Sequence, residues 1–387
     1  MVFLTGPRQV GKTTLAKSLL PQVVDGKNYL NWDNAQHRKL LTALFAGHKS
    51  SILVPDPQMV LDEIHKYPRW KNSLKGLFDT NEPNTHWIIT GSAALNIYRR
   101  GQDSLLGRHF TYHLLPFSVS ELLHIKTKET NPTDLLLRES GNANKKELEA
   151  LRMLERFGGF PEPLFKAQDS FLTRWRSTRL DRLINQDLRS TENLKNMGLM
   201  EQLMMLLPER ASQLLSLNSL REDLEVHFAT VKHWLDLLEQ IFYGFRLKPY
   251  STKIQRALKK EAKWYLWDWT EIDNEGLRFE NMVAVHLMKL VNFANDLGLA
   301  DLSLFYIRDK EKREVDFLIC DKKKPFVAIE CKYQDTTPSQ HLAYFAQKLG
   351  VKKAIQCVYK LDEPQKQSVN GTVINIVPAA SFLAGLI

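Results

Sequence analysis

Cysteine is scarce in this 387-residue sequence: Cys320, Cys331 and Cys357 are the only three, all late in the chain. An odd number cannot pair off completely, and the spacings match no zinc ligand pattern. A disulfide framework is therefore excluded, and a reducing, cytoplasmic setting is expected. Glycine (18) and proline (16) are too few for a collagenous or disordered chain. There is no internal repeat and no low-complexity tract. No run approaches the roughly eighteen apolar residues that a membrane span needs. Met1 leads straight into an apolar strand with no basic-then-apolar signal region, so a soluble, non-secreted protein without a membrane partner is expected.

What is present is a globular balance of 43% hydrophobic and 25% charged residues, in a chain long enough for roughly two to three domains. The 53 Lys and Arg against 44 Asp and Glu leave a formal charge of +9. By charge alone, that surplus favours a polyanionic partner, nucleic acid or an anionic membrane.

Short apolar runs at Val2 to Thr5, Met59 to Leu61, Trp87 to Thr90 and Phe110 to Leu114 alternate with polar or helical sequence. The rhythm predicts an α/β domain with a parallel sheet over residues 1–165, bounded by the breaks at Gly158, Gly159, Pro161 and Pro163. Residues 166–270 read as mostly helical. Residues 271–387 turn from helix to strands at Leu304 to Ile307, Val315 to Ile319, Val327 to Ile329 and Ala354 to Val358.

Gly6-Pro7-Arg8-Gln9-Val10-Gly11-Lys12-Thr13 fits the phosphate-loop pattern, directly after the first strand and before the helical run Thr14 to Leu20. Backbone N–H groups of such a loop and of the helix start, Gly6 to Thr14, surround phosphates, Lys12 can reach the β and γ oxygens of ATP, and the Thr13 hydroxyl can ligate Mg²⁺. The second apolar run closes on Asp62 and Glu63. Asp62 would hold Mg²⁺ through water, and Glu63 would polarise the attacking water. The third ends in Thr90-Gly91-Ser92, where Ser92 or Thr90 could sense the γ-phosphate. The first strand starts at the first residue, which leaves the adenine to other segments or to chain preceding the strand.

Phosphate loop, acidic strand end, polar sensor strand, then a helix and an arginine before a further strand: this order resembles AAA-type (AAA+) ATPases. The resemblance implies that Arg108, in Leu105-Leu106-Gly107-Arg108-His109, enters a neighbouring subunit's site, with Arg99 and Arg100 as competitors. It implies in turn a homo-oligomer, a dimer at least or a ring such as a hexamer.

In the middle segment Leu199 to Arg210, Asn218 to Leu224 and Thr230 to Gln240 read as three helices. They are followed by the β-prone Ile241 to Pro249, a basic stretch and Trp264 to Trp269. The arrangement resembles a winged helix. It would leave Thr230, Lys232 and His233 toward a DNA groove and Lys253, Arg256, Lys259, Lys260 and Lys263 against phosphates. The alternative is a helical module that packs on the ATPase, with the cations as a solvated charge run.

Toward the C-terminus, Glu280 is the candidate inward acid of an amphipathic helix, and Asp316 opens one strand of a hairpin. Glu330 and Lys332 share one face of the partner strand. Asp316 and Glu330, with the carbonyl of Ile329 or Cys331 and Glu280 as a further candidate ligand, could hold Mg²⁺, while Lys332 positions or deprotonates water for phosphodiester hydrolysis. The spacing resembles the restriction-endonuclease-like superfamily, PD-(D/E)xK in pattern, and especially archaeal Holliday-junction resolvases.

Taken together, Gly6 to Thr14, Leu61 to Glu63, Gly91-Ser92, the Gly158-Gly159-Phe160-Pro161-Glu162 turn, Glu314 to Phe317 and Glu330 to Lys332 carry a further resemblance. It is to bacterial and archaeal AAA-type ATPases with a C-terminal domain of uncharacterised function. Two functions are expected from it. One is an oligomeric ATP-driven DNA motor coupled to a metal-dependent nuclease-like domain acting on branched or duplex DNA. The other is a nucleotide-gated DNA- or protein-binding switch that cuts nothing.

Overall fold

The computed structural model describes residues 1–46, 57–80, 85–91, 105, 107–125, 131–188, 196–251 and 261–387. The predicted site residues Ser92, Lys253, Arg256, Lys259 and Lys260 lie outside them, as do Arg99 and Arg100. The chain is a multidomain α/β protein that divides into two compact units, Met1–Leu115 with Gln240–Phe242, and Pro116–Glu239 with Tyr243–Ile387.

The first unit holds strands β1 (Val2–Thr5), β2 (Tyr29–Asn31), β3 (Gln58–Asp62), β4 (His86–Thr90) and β5 (Phe110–His113) and helices α1 (Lys12–Ser18), α2 (Ala35–Phe45) and α3 (Trp70–Thr80). All strand pairs are parallel, in the order β2-β3-β4-β1-β5. Alternation along β3 explains how both faces are covered. Met59 and Leu61 join Leu41, Trp70 and Leu74 in one core, while Val60 joins Ala16 of α1 and Leu20 just after it on the other face. The predicted runs are β1, β3, β4 and β5. The register of β2 sets Asn31 opposite Asp62.

The second unit opens with α4 (Val119–Leu122), α5 (Pro132–Leu137), α6 (Lys145–Phe157), α7 (Pro161–Lys166) and α8 (Asp169–Arg182). Reciprocal caps start two of these: Ser118 with Glu121, and Asn144 with Glu147. The predicted boundary at 165 is not where compactness divides the chain, because residues 116–165 bond to later segments. The Trp269 indole donates to the Leu154 carbonyl at 2.8 Å, Ala143 N–H donates to the Asp362 carbonyl at 2.8 Å, and the Ser118 hydroxyl donates to the Ile387 carbonyl. The Gly158-Gly159 turn belongs to the same packing, since a Cβ on Gly159 would lie 2.8 Å from the Phe117 carbonyl oxygen.

Next come α9 (Met197–Leu206), α10 (Leu217–Asp223) and α11 (Phe228–Gln240), then the antiparallel pair β6 (Gly244–Leu247) and β7 (Lys263–Leu266). The first of these helices stops short of its predicted end at Arg210 because Pro208 cannot continue it, and Pro208–Arg210 forms a 3-10 turn. Helix α12 (Glu275–Asp296) follows, then β8 (Leu302–Arg308), β9 (Glu314–Asp321), β10 (Lys324–Lys332), α13 (Gln340–Leu349), β11 (Lys353–Val358), β12 (Gln365–Val369), β13 (Thr372–Pro378) and α14 (Ala379–Ala384). The six strands from β8 onward form one mixed sheet, β12-β13-β11-β10-β9-β8. Helix α12 is buried almost all round, from Phe279 and Met282 to Val285, Leu287 and Ala294, so it is a core element rather than a one-sided surface helix. Among the described residues no helix is long and apolar enough to cross a membrane.

Candidate functional site

The loop between β1 and α1 is shaped by residues that tolerate its backbone. Gly6 sits at φ 147 with the Leu114 carbonyl oxygen 2.0 Å from where a Cβ would be, so only glycine fits. Gln9 (φ 61) and Gly11 (φ 102) complete the turn into α1. Val10 is buried beneath the loop, Pro7 and Arg8 lie along it, and the predicted ligand Thr14 faces solvent from the first turn of the helix. Lys12 is buried, and its ammonium donates to the carbonyls of Gly6 at 2.9 Å and Pro7 at 2.6 Å.

Asp62, 1% exposed at the end of β3, is the hub of this site. It accepts from the hydroxyls of Thr13 at 3.0 Å and Tyr29 at 2.7 Å, from the Asn31 amide at 3.2 Å, and from the Thr90 hydroxyl. Tyr29 and Asn31 are absent from the predicted set. Their only sequence signal is a two-residue spacing that puts both side chains on one face of a strand. Burial, aided by the Asp62 carboxylate, holds the Tyr29 hydroxyl above the ordinary tyrosine range, so it remains a donor. Thr90, one of the two predicted γ-phosphate sensors, is engaged with Asp62.

Glu63 follows at φ 56, its carboxylate 3.4 Å from the Lys66 ammonium and 3.7 Å from His65 Nε2. Burial raises the Glu63 pKa against the pull of Lys66, and burial together with Lys66 pushes His65 down to about 4. His65 is therefore neutral at pH 7, and Lys66 is the cation that orients Glu63. Lys66 is itself bridged to Asp33 at 2.5 Å. Arg108 forms a two-point pair with Asp79, Nε to Oδ1 at 2.8 Å and a terminal nitrogen to Oδ2 at 3.3 Å.

Thr13 and Asp62 together suit Mg²⁺. A hydroxyl and a carboxylate converge, and the carboxylate's other partners are neutral donors, which leaves its charge for a cation that brings its own phosphate and water ligands.

In the C-terminal cluster the structure makes one correction to the predicted residues. Lys263 is not a solvated cation against phosphates: it is 3% exposed and lies among the acids. Its ammonium is 3.1 Å from Glu280, 2.8 Å from Glu314 and 3.4 Å from Asp316. The reason is register on β7, where Lys263 and Tyr265 share a face and Tyr265 donates to the same Glu280 oxygen at 2.8 Å. Asp316 also accepts from the Cys331 N–H at 2.8 Å, and Arg308 pairs with Glu314 at 2.6 Å. Glu330, 7% exposed, pairs through one oxygen with Lys332 at 2.9 Å, and its other oxygen makes no hydrogen bond.

Burial, then Asp316, pushes Glu280 up to about 8 and Glu330 up to about 7. Burial pulls Lys263 down, but the carboxylates of Glu280, Asp316 and Glu314 outweigh it and hold the ammonium above the ordinary lysine range. The predicted Mg²⁺ set Glu280, Asp316 and Glu330 does not fit a metal in this arrangement. A cation already bridges Glu280 and Asp316, Glu330 is turned to Lys332, and among the described residues no three His, Cys, Asp or Glu are arranged to hold an ion.

Helix α11 buries Val231, Trp234, Leu235 and Leu238, which leaves Lys232 and His233 exposed and Thr230 half-buried on the outer face.

Known proteins similar to this chain include an uncharacterised protein of Haemophilus influenzae, 24% identical over 345 residues covering 81% of this chain and 78% of the relative. Another, of Mycobacterium tuberculosis, is 24% identical over 358 residues, 88% of this chain and 71% of the relative. A third, of Methanocaldococcus jannaschii, is 25% identical over 287 residues, 67% of this chain and 59% of the relative. A solved structure of a Thermotoga maritima RuvB variant aligns with 67% of this chain and 87% of its own, at 18% identity and a TM-score of 0.28, too low to carry an argument. Residues 148–270 and 275–382 each match a domain of unknown function, DUF8612 and DUF4143. Residues 1–123 match the AAA domain family, so the phosphate loop, Asp62 and Glu63 lie in an AAA-type domain, which supports an ATPase.

Proposed function

We propose that the protein hydrolyses ATP in its N-terminal unit and uses the nucleotide state to control DNA binding by the rest of the chain, without cutting the DNA. The observation that carries the ATPase half is the convergence of Thr13, Tyr29, Asn31 and Thr90 on buried Asp62 beside the Lys12 loop. The loop's N–H groups and the Lys12 ammonium would bind the phosphates once Lys12 leaves the Gly6 and Pro7 carbonyls. Thr13 and Asp62 would hold Mg²⁺, which supplies charge neutralisation of the phosphates. Glu63, oriented by Lys66, would accept a hydrogen bond from the attacking water and move its proton. Arg108 would serve a neighbouring subunit in a homo-oligomer, a ring such as a hexamer, after exchanging Asp79 for phosphate.

The DNA half is supported by the +9 charge and by the exposed Lys232 and His233 of the third helix in a winged-helix-like order of three helices and two strands. The nuclease-coupled motor is the second reading. Convergence of Asp316, Glu330 and Lys332 favours it, and the ammonium of Lys263 among the acids disfavours it.

One panel separates the readings: ATP turnover, DNA binding and cleavage with linear, forked and four-way DNA under Mg²⁺. Turnover lost in Lys12→Ala, nucleotide-dependent DNA binding and no cutting are expected. Wild-type turnover by Lys12→Ala overturns the ATP site, and cutting that Asp316→Asn abolishes establishes the nuclease.

A further inference from the structure

We propose that Lys263 is a built-in counter-ion, seated where a divalent cation would otherwise bridge Glu280 and Asp316, and that it closes the C-terminal carboxylate cluster to metal ions. This deepens the non-cleaving half of the function proposed above and does not depend on ATP hydrolysis. The ammonium touches carboxylates from two elements, Glu280 on α12 and Glu314 and Asp316 on β9, all within 3.4 Å. One lysine from the sequence-distant strand β7 thus does what a metal does between acids.

Its position is fixed by backbone. The Leu266 N–H donates to the Asn281 side chain at 2.8 Å, and the Asn281 amide returns a bond to the Leu266 carbonyl at 2.7 Å, so β7 is clamped edge-on to α12. Asn281 and Leu266 are both fully buried, and Tyr265 adds a bond to Glu280. Lys263 itself bridges to Leu214 on its other side. The strand is thus held on three sides, and the Lys263 side chain is 3% exposed.

The charges of the cluster agree. Four carboxylates, Glu280, Glu314, Asp316 and Glu330, meet three cations, Lys263, Arg308 and Lys332. A divalent ion would have to expel a buried ammonium to enter. The second oxygen of Glu330 is buried and makes no hydrogen bond.

The test is Mn²⁺ binding to the nucleotide-free full chain, read by electron paramagnetic resonance in wild type, Asp316→Asn, Lys263→Met and Lys263→Met/Asp316→Asn. Methionine keeps the apolar stem and removes the charge. Wild type and Asp316→Asn should bind Mn²⁺ alike, Lys263→Met should gain about one ion per chain, and the double variant should lose that gain. Wild-type binding that Asp316→Asn removes overturns the proposal, as does a folded Lys263→Met that gains nothing. If Lys263→Met does not fold, the wild type against Asp316→Asn decides by the same criterion. Absence of ATP turnover or DNA binding in the same preparations overturns the proposed function and leaves the closed cluster standing.

Discussion

Asp62 and Asp316 are both strand carboxylates with several partners, and their surroundings treat the charge in opposite ways. The donors on Asp62 are neutral: three hydroxyls and an amide. They orient the carboxylate and leave its charge to be met by a cation that comes with a nucleotide. Asp316 is met from within, by the Lys263 ammonium and one backbone N–H. The sign of the partners, rather than their number, decides whether a buried acid stays open to a metal.

The largest effects should come from the open site. Asp62→Asn keeps the acceptor geometry and removes the charge, and should lower Mg²⁺-dependent ATP turnover by about a hundredfold or more in a steady-state phosphate-release assay. Glu63→Gln should lower turnover comparably while nucleotide binding, followed by fluorescence titration, survives. Full turnover by Asp62→Asn would erase the contrast between the two acids.

At the closed site the expected loss is of stability. Removing a buried cation strands its acids, so Lys263→Met should cost about 3–5 kcal/mol in urea unfolding. Replacing Glu280 and Asp316 by their amides in the same chain should recover part of it.

Acidity gives a third comparison. Glu280, up to about 8, and Glu330, up to about 7, hold protons that the unfolded chain releases. Stability from these groups is complete below the unfolded carboxylate pKa of about 4.3 and is lost as pH rises through their folded values. Urea midpoints should therefore fall between about pH 5.5 and pH 8.5, and Glu280→Gln should flatten the trend. A midpoint that rises over this window would contradict the burial of both acids.

The smallest effect sharpens the account of Asp62. Tyr29→Phe removes one of its donors, worth about 1 kcal/mol, and should slow ATP turnover roughly fivefold without abolishing it.

Much of this was legible in the residues. The phosphate loop declares itself because its glycines, lysine and threonine are contiguous, and a strand and a helix flank them. The core face of α11 follows from the spacing of Val231, Trp234, Leu235 and Leu238, all of which are buried. Glu330 and Lys332 could be put on one face because residues two apart on a strand share it, whereas Asp316 comes beside them only through the register of the hairpin, Phe317 opposite Ile329. Strand β2 was out of reach: Tyr29, Leu30 and Asn31 are too few for a pattern to stand out, and only the register with β3 sets them beside Asp62. The compact division at Leu115 was equally hidden, since it rests on bonds such as Trp269 to Leu154 between residues far apart in sequence.

Local chemistry is written along the chain: a loop that can hold phosphates, acids at strand ends, a helix with one buried face. Contiguity and periodicity carry that information. Which charges meet is a matter of the folded arrangement. A lysine in a basic run looks solvated until the pairing of β7 with β6 and its clamp to Asn281 turn that lysine inward. There it faces Glu280, Glu314 and Asp316, and charge cancellation in a buried cluster depends on distance in space, which no spacing in sequence encodes.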